Sequence, residues 1–299
     1  MLDSLRQSGF CGELQAEAAL APLTTWRIGG PAELLATPAD EPDLATAVAW
    51  ANEQGVPWRV LGNGSNILVP DRGVRGLVLR IRKVLDRLDF EGTTVRAGAG
   101  ALLPALANAC AERGLAGLEF AGGIPGAVGG AVIMNAGWHE YELGNLVREV
   151  RYLDEEGTIR TFTRGQCRFG YRTSRFRGSR GVVLQVTVQL EEGEAGQISS
   201  LTDRFVESRK TNQPTHLPSC GSVFLKPPGD FAGRLIDACG LKGHRVGDIQ
   251  VSPIHANFFV NLGEGNARDV LKLVTEVERQ VLERFGVALV REFEYWDAA

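Results

Sequence analysis

The apolar positions of this chain follow two periods, and the changes from one to the other mark its elements. Between residues 43 and 55, Leu44, Val48 and Ala51 recur at helical spacing, with Pro42 at the start and Gly55 as a stop. Short apolar runs at 33–37 and 58–61 flank this stretch and read as strands, so a β-α-β unit is predicted. Strands are also predicted at 77–81 and 94–97, an alanine-rich helix at 102–113 stopped by Gly114, and a short helix at 126–134 that opens from a glycine run. From Val147 the period falls to two. Strands at 147–153 and 158–163 join through a charged turn at 154–157, and 182–190 has strong β propensity. The acidic segment 191–196 reads as a linker. Beyond it, Ile198, Leu201, Phe205 and Val206 mark one helix, and Phe231, Leu235, Ile236 and Cys239 another. Asn266 is placed to cap the longest helix, in which Val270, Val274, Val277, Val281 and Phe285 keep helical spacing up to Gly286.

These elements predict an α+β chain: a region 1–195 in two subdomains, about 1–80 and 81–195, then a smaller α+β domain over 196–290. The terminal segment 291–299 reads as an edge strand, with Glu292 and Glu294 on one face and Arg291, Phe293 and Tyr295 on the other. No internal repeat interrupts this plan.

Composition narrows the function. With 299 residues, 44% hydrophobic and 23% charged, the chain suits a globular protein of two or three domains. Its formal charge of −4 argues against a nucleic-acid surface, so an anionic ligand has to be met locally, and Arg168, Arg172, Arg175, Arg177 and Arg180 form one basic cluster. Five scattered cysteines without a C-x-x-C pair, and four isolated histidines, encode neither a disulfide framework nor a metal site. A reducing cytoplasm is the expected setting. Glu13 and Glu17 interrupt the N-terminus where a signal peptide needs an apolar core, and no run approaches the roughly eighteen apolar residues of a membrane span. Membrane insertion is therefore not expected, and the oligomeric state stays open.

Two glycine-rich loops carry the strongest chemical signal. In Val60-Leu-Gly-Asn-Gly-Ser-Asn-Ile-Leu-Val69 an apolar run enters a loop of small and amide residues and another leaves it. Gly62 and Gly64 allow positive φ and close approach of a ligand, and successive N–H groups in such a turn form an anion-binding concavity. Gly122-Gly-Ile-Pro-Gly-Ala-Val-Gly-Gly-Ala131 reads as a second wall of the same kind of pocket, with the amides of the helix that follows aimed at whatever the loop holds. Two phosphate-friendly loops suggest a dinucleotide. Neither fits G-x-G-x-x-G, because the sixth position from Gly62 is Ile67 and an extended segment follows; no Walker motif occurs either. A Rossmann NAD site and a P-loop nucleotidase are both disfavoured. Taken alone, residues 62–66 also fit a plain hairpin turn.

Three segments elsewhere add chemistry. Phe169-Gly-Tyr-Arg-Thr-Ser-Arg-Phe176 sets aromatics among basic and hydroxyl residues, which suits a planar or carboxylated ligand because arginine presents a rigid fork; a solvated basic loop is the competing reading. Pro218-Ser-Cys-Gly-Ser-Val-Phe224 puts Cys220 and Ser222 on one face if both are extended, although a strand start built from small residues fits as well. Arg291-Glu292 opens the terminal strand.

Together with Thr24-Thr-Trp-Arg-Ile-Gly-Gly-Pro31, Ala238-Cys-Gly-Leu-Lys-Gly243 and His255-Ala-Asn-Phe258, in this order and spacing, these segments resemble the UDP-N-acetylenolpyruvoylglucosamine reductase family over most of the chain. The resemblance implies an FAD-binding domain of the vanillyl-alcohol-oxidase type in residues 1–195 and a smaller α+β domain that closes over a UDP-sugar. It implies noncovalent FAD, NADPH as hydride donor, and reduction of UDP-N-acetylglucosamine enolpyruvate to UDP-N-acetylmuramate for peptidoglycan. FAD is then expected on Leu61, Gly62, Asn63, Gly64, Ser65, Asn66 and Ile67, and on Gly122, Gly123, Ile124, Pro125, Gly126, Val128, Gly129, Gly130, Ala131 and Asn135. Arg172, Ser222 and Glu292 match the family's catalytic residues, and Tyr171, Arg172, Ser222 and Asn257 are the expected substrate contacts.

In that assignment Arg172 and Glu292 address the charge that hydride addition pushes onto the substrate carboxylate, and Ser222 delivers a proton. Cys220 is assigned to packing, even though a free thiol, with a pKa of about 8.5, is the stronger acid. The chain departs from the family pattern in having Leu225-Lys226-Pro227 where Lys-Asn-Pro is common, Glu294 in place of arginine, and Ile254 where lysine often precedes histidine. No tyrosine lies between Tyr171 and Tyr295, which points to the shorter subclass without a tyrosine loop. An oxidase of the same flavin fold and a catalytically silent UDP-sugar or flavin sensor are the alternatives, and retention of Arg172, Ser222 and Glu292 speaks against the sensor.

Overall fold

The computed structural model of the protein describes residues 1–297, and in it the stripe of Leu44, Val48 and Ala51 lies fully buried on the helix Glu41–Glu53. Asp40 caps this helix by accepting the Asp43 N–H at 2.9 Å. Asp43 itself turns inward. Its buried carboxylate accepts the amides of Cys11, Gly12 and Ala39 at 2.7, 2.8 and 2.8 Å, which ties the N-terminal segment to the first turn of the helix.

The chain divides into two units, each discontinuous in sequence. The first comprises Met1–Glu17, Glu33–Asn63 and Gly76–Glu207. A four-stranded sheet runs Glu13–Ala19, Pro31–Thr37, Val74–Arg80, Trp58–Leu61, so the two strands that flank the helix are separated by a third. Trp58 pairs in parallel with Leu77, and Leu61 with Arg80. A second, antiparallel sheet runs Ile159–Thr163, Val147–Asp154, Gly181–Gln189, Thr94–Gly98, Leu88–Glu91. Its central strand buries Val182, Val183, Leu184, Val186 and Val188 on both faces, which explains a continuous apolar run in place of alternation. The helix Leu103–Ala111 buries Leu103, Leu106, Ala107 and Cys110.

Two expectations change here. Residues 191–196 are not a linker: Glu191–Glu192 pairs with Leu115–Ala116, and the helix Ala195–Asn212 follows directly. The helix opening from the second glycine loop is confined to Val128–Ile133. The first unit extends to Glu207 and leaves out two early segments.

Those segments, Ala18–Ala32 and Gly64–Arg75, join Ser208 onward as the second unit. Trp26 is fully buried there, donating from Nε1 to the Phe259 carbonyl at 3.0 Å and packing edge-on against Phe293 at 5.4 Å. Asn261 returns a bond to the Trp26 carbonyl at 3.1 Å. The N-terminal Thr-Thr-Trp motif therefore builds the core of the C-terminal unit. Its long helix, Ala267–Phe285, is capped by Asn266 as predicted, and the Asp71 carboxylate accepts the first two amides at 2.7 and 3.1 Å, favourable for a negative group at a helix start. Val270, Leu273, Val274, Val277 and Val281 are buried, and Gly286 at φ +68 ends the helix. The three-stranded sheet Arg245–Val246, Ile249–Val251, Phe259–Asn261 and the short helix Ala232–Ala238 complete this core. Among the described residues, no helix is long and apolar enough to cross a membrane, and no cluster of His, Cys, Asp and Glu could hold a metal. The expected terminal segment pairs as Glu294–Tyr295; its last two positions lie outside the described residues.

Candidate active site

The two glycine loops meet within the first unit. A Cβ built on Gly62 would lie 3.2 Å from that of Ala127, so the loops pack directly against each other, as expected of two walls of one pocket. Ala127 lies inside the second glycine run but is not among the expected FAD contacts. Gly62, Asn63, Gly122, Gly123, Ile124 and Gly126 stay partly accessible, and a Cβ on Gly130 would meet nothing within 4 Å. Small residues, reachable backbone, and the absence of His or Cys from either loop fit a flavin dinucleotide held without a covalent tether.

Other loop residues have internal tasks. The amides of Val128 and Gly129, expected to aim at the ligand, instead donate to the Ala101 and Ala99 carbonyls at 2.8 and 2.9 Å, because the loop is laced to the end of the neighbouring strand. Asn135 is similarly committed. It is 1% exposed at φ +44; its amide nitrogen donates to Glu142 Oε2 at 2.8 Å and the Gly170 carbonyl at 3.0 Å, and its oxygen accepts the Gly144 N–H at 2.8 Å. That side chain anchors the Arg172 turn with both of its N–H groups and one lone pair of its oxygen. The remaining loop residues, Gly64 to Ile67, belong to the second unit, where a Cβ on Gly64 (φ +63) would sit 2.3 Å from the Leu23 carbonyl oxygen.

Arg172 stands at a corner of a tight hairpin. Gly170 and Thr173 exchange both backbone bonds, at 3.0 and 3.1 Å, which leaves Tyr171 and Arg172 as the two corner residues and forces Arg172 to φ +52. Such a conformation costs an L-residue about 1–2 kcal/mol, so the surroundings must enforce it. They do so through the Asn135 bond to Gly170, the Arg177 bond to the Arg172 carbonyl at 2.9 Å, and Ser174, whose hydroxyl donates to Ile133 at 2.8 Å. The guanidinium donates to the Gly137 carbonyl at 2.8 Å and lies 5.2 Å from the Tyr171 ring, which is half exposed. The expected basic cluster is thereby taken apart: Arg175 covers the Phe162 ring at 4.0 Å and binds the Gln166 carbonyl, Arg177 braces the turn, and Arg168 (φ +50) ends a short helix.

Ser222 and Glu292 are brought onto neighbouring extended segments of the second unit. Phe224 bridges Arg291, the Glu292 N–H donates to the Val223 carbonyl at 2.8 Å, and the Leu225 N–H to Val290 at 2.8 Å. On the far side, Glu294 and Tyr295 pair in parallel with Ile67 and Leu68, and Asn66 donates from its side chain to the Glu292 carbonyl at 3.3 Å. Arg291 extends to the long helix, where Glu278 accepts its fork at 2.7 and 2.8 Å. Glu278 carried no signal in the sequence beyond a polar helix position. Ser222 is half-buried and bridges Phe258 on its other edge. The expectation that Cys220 and Ser222 share a strand face fails, since Gly221 between them sits at φ +84 and breaks the alternation. Cys220 turns into the core, where burial, and after it the Glu292 charge, pushes the thiol pKa well above its ordinary value. It has lost the acidity that made it attractive as a donor. The displaced Lys226 is exposed, its ammonium 4.4 Å from the Phe231 ring.

Asn257 is buried beside this ladder. Its oxygen accepts the Phe224 N–H at 3.0 Å and its amide nitrogen donates to the Phe224 carbonyl at 2.8 Å. These two bonds use one lone pair and one N–H of the carboxamide.

Comparison with known proteins places this arrangement. Residues 213–296 match the family model described as UDP-N-acetylenolpyruvoylglucosamine reductase, C-terminal domain, and residues 32–163 match that of an FAD binding domain, which spans both glycine loops and Asn135. UDP-N-acetylenolpyruvoylglucosamine reductase 2 of Symbiobacterium thermophilum is 43% identical over 285 residues, 95% of this chain and 92% of that protein. The crystal structure of UDP-N-acetylenolpyruvylglucosamine reductase from Thermus caldophilus is similar at a TM-score of 0.81 and 39% identity, covering 96% of this chain and 99% of that one. Berberine bridge enzyme from Eschscholzia californica shares the flavin-binding fold at a TM-score of 0.51 and 15% identity over 65% of this chain and 43% of that one. With its FAD-binding fold and this near full-length similarity, the chain belongs to the UDP-N-acetylenolpyruvoylglucosamine reductase family of FAD-dependent oxidoreductases.

Proposed function

We propose that this protein reduces UDP-N-acetylglucosamine enolpyruvate to UDP-N-acetylmuramate at the expense of NADPH, a cytoplasmic step in making the peptidoglycan precursor. The observation that carries the reading is the set of backbone bonds that places Ser222 and Glu292 on adjacent extended segments, next to a cysteine that burial keeps protonated. In this reading FAD is bound within residues 1–195, the UDP-sugar by the domain at 196–290, and Glu292 is supplied by the terminal segment. When bound, FAD supplies two-electron hydride transfer from NADPH to the enolpyruvyl double bond.

Addition of hydride to the methylene carbon leaves negative charge on the adjacent carbon and its carboxylate. Arg172, held at its corner by the Gly137 carbonyl, is assigned to the carboxylate, where a fixed cation favours the charged state over the starting alkene. Glu292 is assigned to the same developing charge as a hydrogen-bond donor, a role that requires the carboxylate beside Cys220 to take up a proton when substrate and flavin cover it. Ser222 gives its hydroxyl proton to the carbon that carries the charge and is itself reprotonated from solvent, which completes the addition of H− and H+ across the double bond. A hydroxyl is a weak acid, so its contribution depends on placement.

The test is anaerobic and aerobic NADPH oxidation with and without the enolpyruvyl substrate. A reductase consumes NADPH one-for-one with substrate under nitrogen. Oxygen-dependent turnover of an alcohol without NADPH would identify an oxidase, and flavin or UDP-sugar binding without turnover a sensor. Acid denaturation is expected to release free FAD.

A further inference from the structure

We infer that Asn257 is a positioning residue for the Ser222 hydroxyl. This deepens the proposed function and rests on Ser222 as the proton donor. Ser222 directly follows Gly221, whose positive φ turns the chain, and opens an extended segment that carries only isolated bridges, at Ser222 and Phe224, so no continuous strand fixes the backbone under its hydroxyl. Support has to come from the two edges. One edge is the ordinary ladder to residues 290–292. The other begins normally, with Ser222 bridging Phe258 and the Val223 N–H donating to the Asn257 carbonyl at 2.8 Å.

At Phe224 that second edge runs out of backbone. The chain before Asn257 folds into a turn, in which the Phe258 N–H returns to the His255 carbonyl at 2.9 Å and the Asn257 N–H to His255 Nδ1 at 3.2 Å. The next peptide group of a continuing strand is therefore missing, and the Asn257 carboxamide stands in its place. It accepts from the Phe224 N–H and donates to the Phe224 carbonyl, the two bonds that a neighbouring peptide would supply. Asn257 thus makes three bonds to the two residues that follow Ser222, and the residue after it pairs with Ser222 itself. Phe224 is also the residue that bridges Arg291, so the same clamp holds the strand against which Glu292 is registered. A side chain in this position controls where the hydroxyl sits, and a misplacement of about 1 Å at a reacting group costs roughly a hundredfold in rate.

The experiment separates the half-reactions by stopped-flow flavin absorbance in the FAD-loaded enzyme. Asn257→Ala and the isosteric Asn257→Asp, which keeps an acceptor for the Phe224 N–H but loses the donor, are compared with Ser222→Ala and with Ser222→Ala/Asn257→Ala. Reduction by NADPH is expected to stay within about twofold, and reoxidation by saturating substrate to slow roughly ten- to a hundredfold in Asn257→Ala and less in Asn257→Asp. Substrate affinity should hold, and the double variant should be no slower than Ser222→Ala alone, since a positioning residue has nothing to position once the hydroxyl is gone. Losses that multiply in the double variant would overturn the inference by assigning Asn257 a general structural role. Weakened substrate binding with normal reoxidation at saturation would overturn it by making Asn257 a direct contact. If Ser222→Ala itself reoxidises normally, the proton-donor reading fails and takes this inference with it, an outcome distinct from failure at Asn257 alone. Should Asn257→Ala lose its flavin, Asn257→Asp carries the same comparison.

Discussion

Arg172 and Ser222 are held by opposite means, although each depends on a buried asparagine. Arg172 occupies a strained corner, and what keeps it there is a set of side-chain bonds from loops: Asn135 to Gly170, Arg177 to its own carbonyl, its guanidinium to Gly137. Ser222 opens an extended segment that backbone bonds hold on both edges, to Phe258 and Asn257 on one and to residues 290–292 on the other, with Asn257 substituting for one missing rung. Strain of this kind is local and is sustained by a few specific contacts; a ladder is shared among many. A turn should therefore separate function from stability cleanly at its charged residue and fail sharply at its anchor, whereas a ladder should tolerate changes that leave its backbone alone.

The largest effect is expected at the corner. Arg172→Gly removes the cation but suits φ +52, so turnover should fall by roughly 10²–10³ while stability stays within about 1 kcal/mol, the relief of strain offsetting glycine's greater freedom when unfolded. Turnover and thermal melting are measured on the same preparation. A large fall in melting temperature would show that Arg172 holds the fold and would blur the contrast with Ser222.

Next is the anchor. Asn135→Ala leaves the buried Gly144 N–H without its partner, at a cost of about 1–3 kcal/mol, and removes one of the two bonds that the Gly170 carbonyl accepts, leaving only that from Thr173. Because the 170–173 turn loses its brace, local hydrogen exchange at these residues should rise by more than it does at 222–225. Equal protection losses in both regions would mean that Asn135 supports the fold as a whole.

How much of this contrast was legible in the sequence depends on range. The long helix, its Asn266 cap and its Gly286 stop are written locally, as is the stripe of Leu44, Val48 and Ala51. Glu13–Ala19 and Leu88–Glu91 went unread because their partners are set by pairing and not by alternation, and Glu191–Glu192 looked like a linker because its strand character comes entirely from Leu115–Ala116. Trp26 is a clear apolar signal in the N-terminal region, yet its packing partners, Phe259 and Phe293, lie more than 230 residues away in sequence. The residues assigned to catalysis were found through motif resemblance. The supporting bonds of Asn135, Asn257 and Glu278 are not legible in the chain, since a hydrogen bond to a group distant in sequence leaves no local pattern.

On the ladder side, Cys220→Ser should keep turnover within a few fold. The thiol is buried and protonated, and it is separated from Ser222 by the Gly221 turn, so replacing it changes packing and leaves the backbone rungs in place. Alkylation by iodoacetamide should be slow near neutral pH for the same reason. Loss of substrate-dependent reoxidation in Cys220→Ser, with Ser222→Ala still active, would move the proton donor to the sulfur.

The smallest effect concerns the turn that leaves the missing rung. His255 is desolvated by burial, and Lys242 adds a like charge, so its pKa is lowered from 6.5 despite a partly compensating backbone hydrogen bond. A lowered folded-state pKa means that the unfolded chain takes up the proton first. The associated stability is present above the unfolded value near 6.5 and is lost as pH falls from there toward the lower folded value. Protonation also removes the Nδ1 acceptor from the Asn257 N–H, so acid should loosen the residue that completes the Ser222 strand. Melting temperatures at pH 7.5 and 5.5 are expected to differ more in the wild-type protein than in His255→Gln, which offers an acceptor that does not titrate. Exchange of the Phe224 amide, measured at the same two pH values after correction for intrinsic rates, should follow the same order. Identical pH slopes in the two proteins would mean that the imidazole is not linked to folding, and the ladder would then owe its stability to its backbone alone.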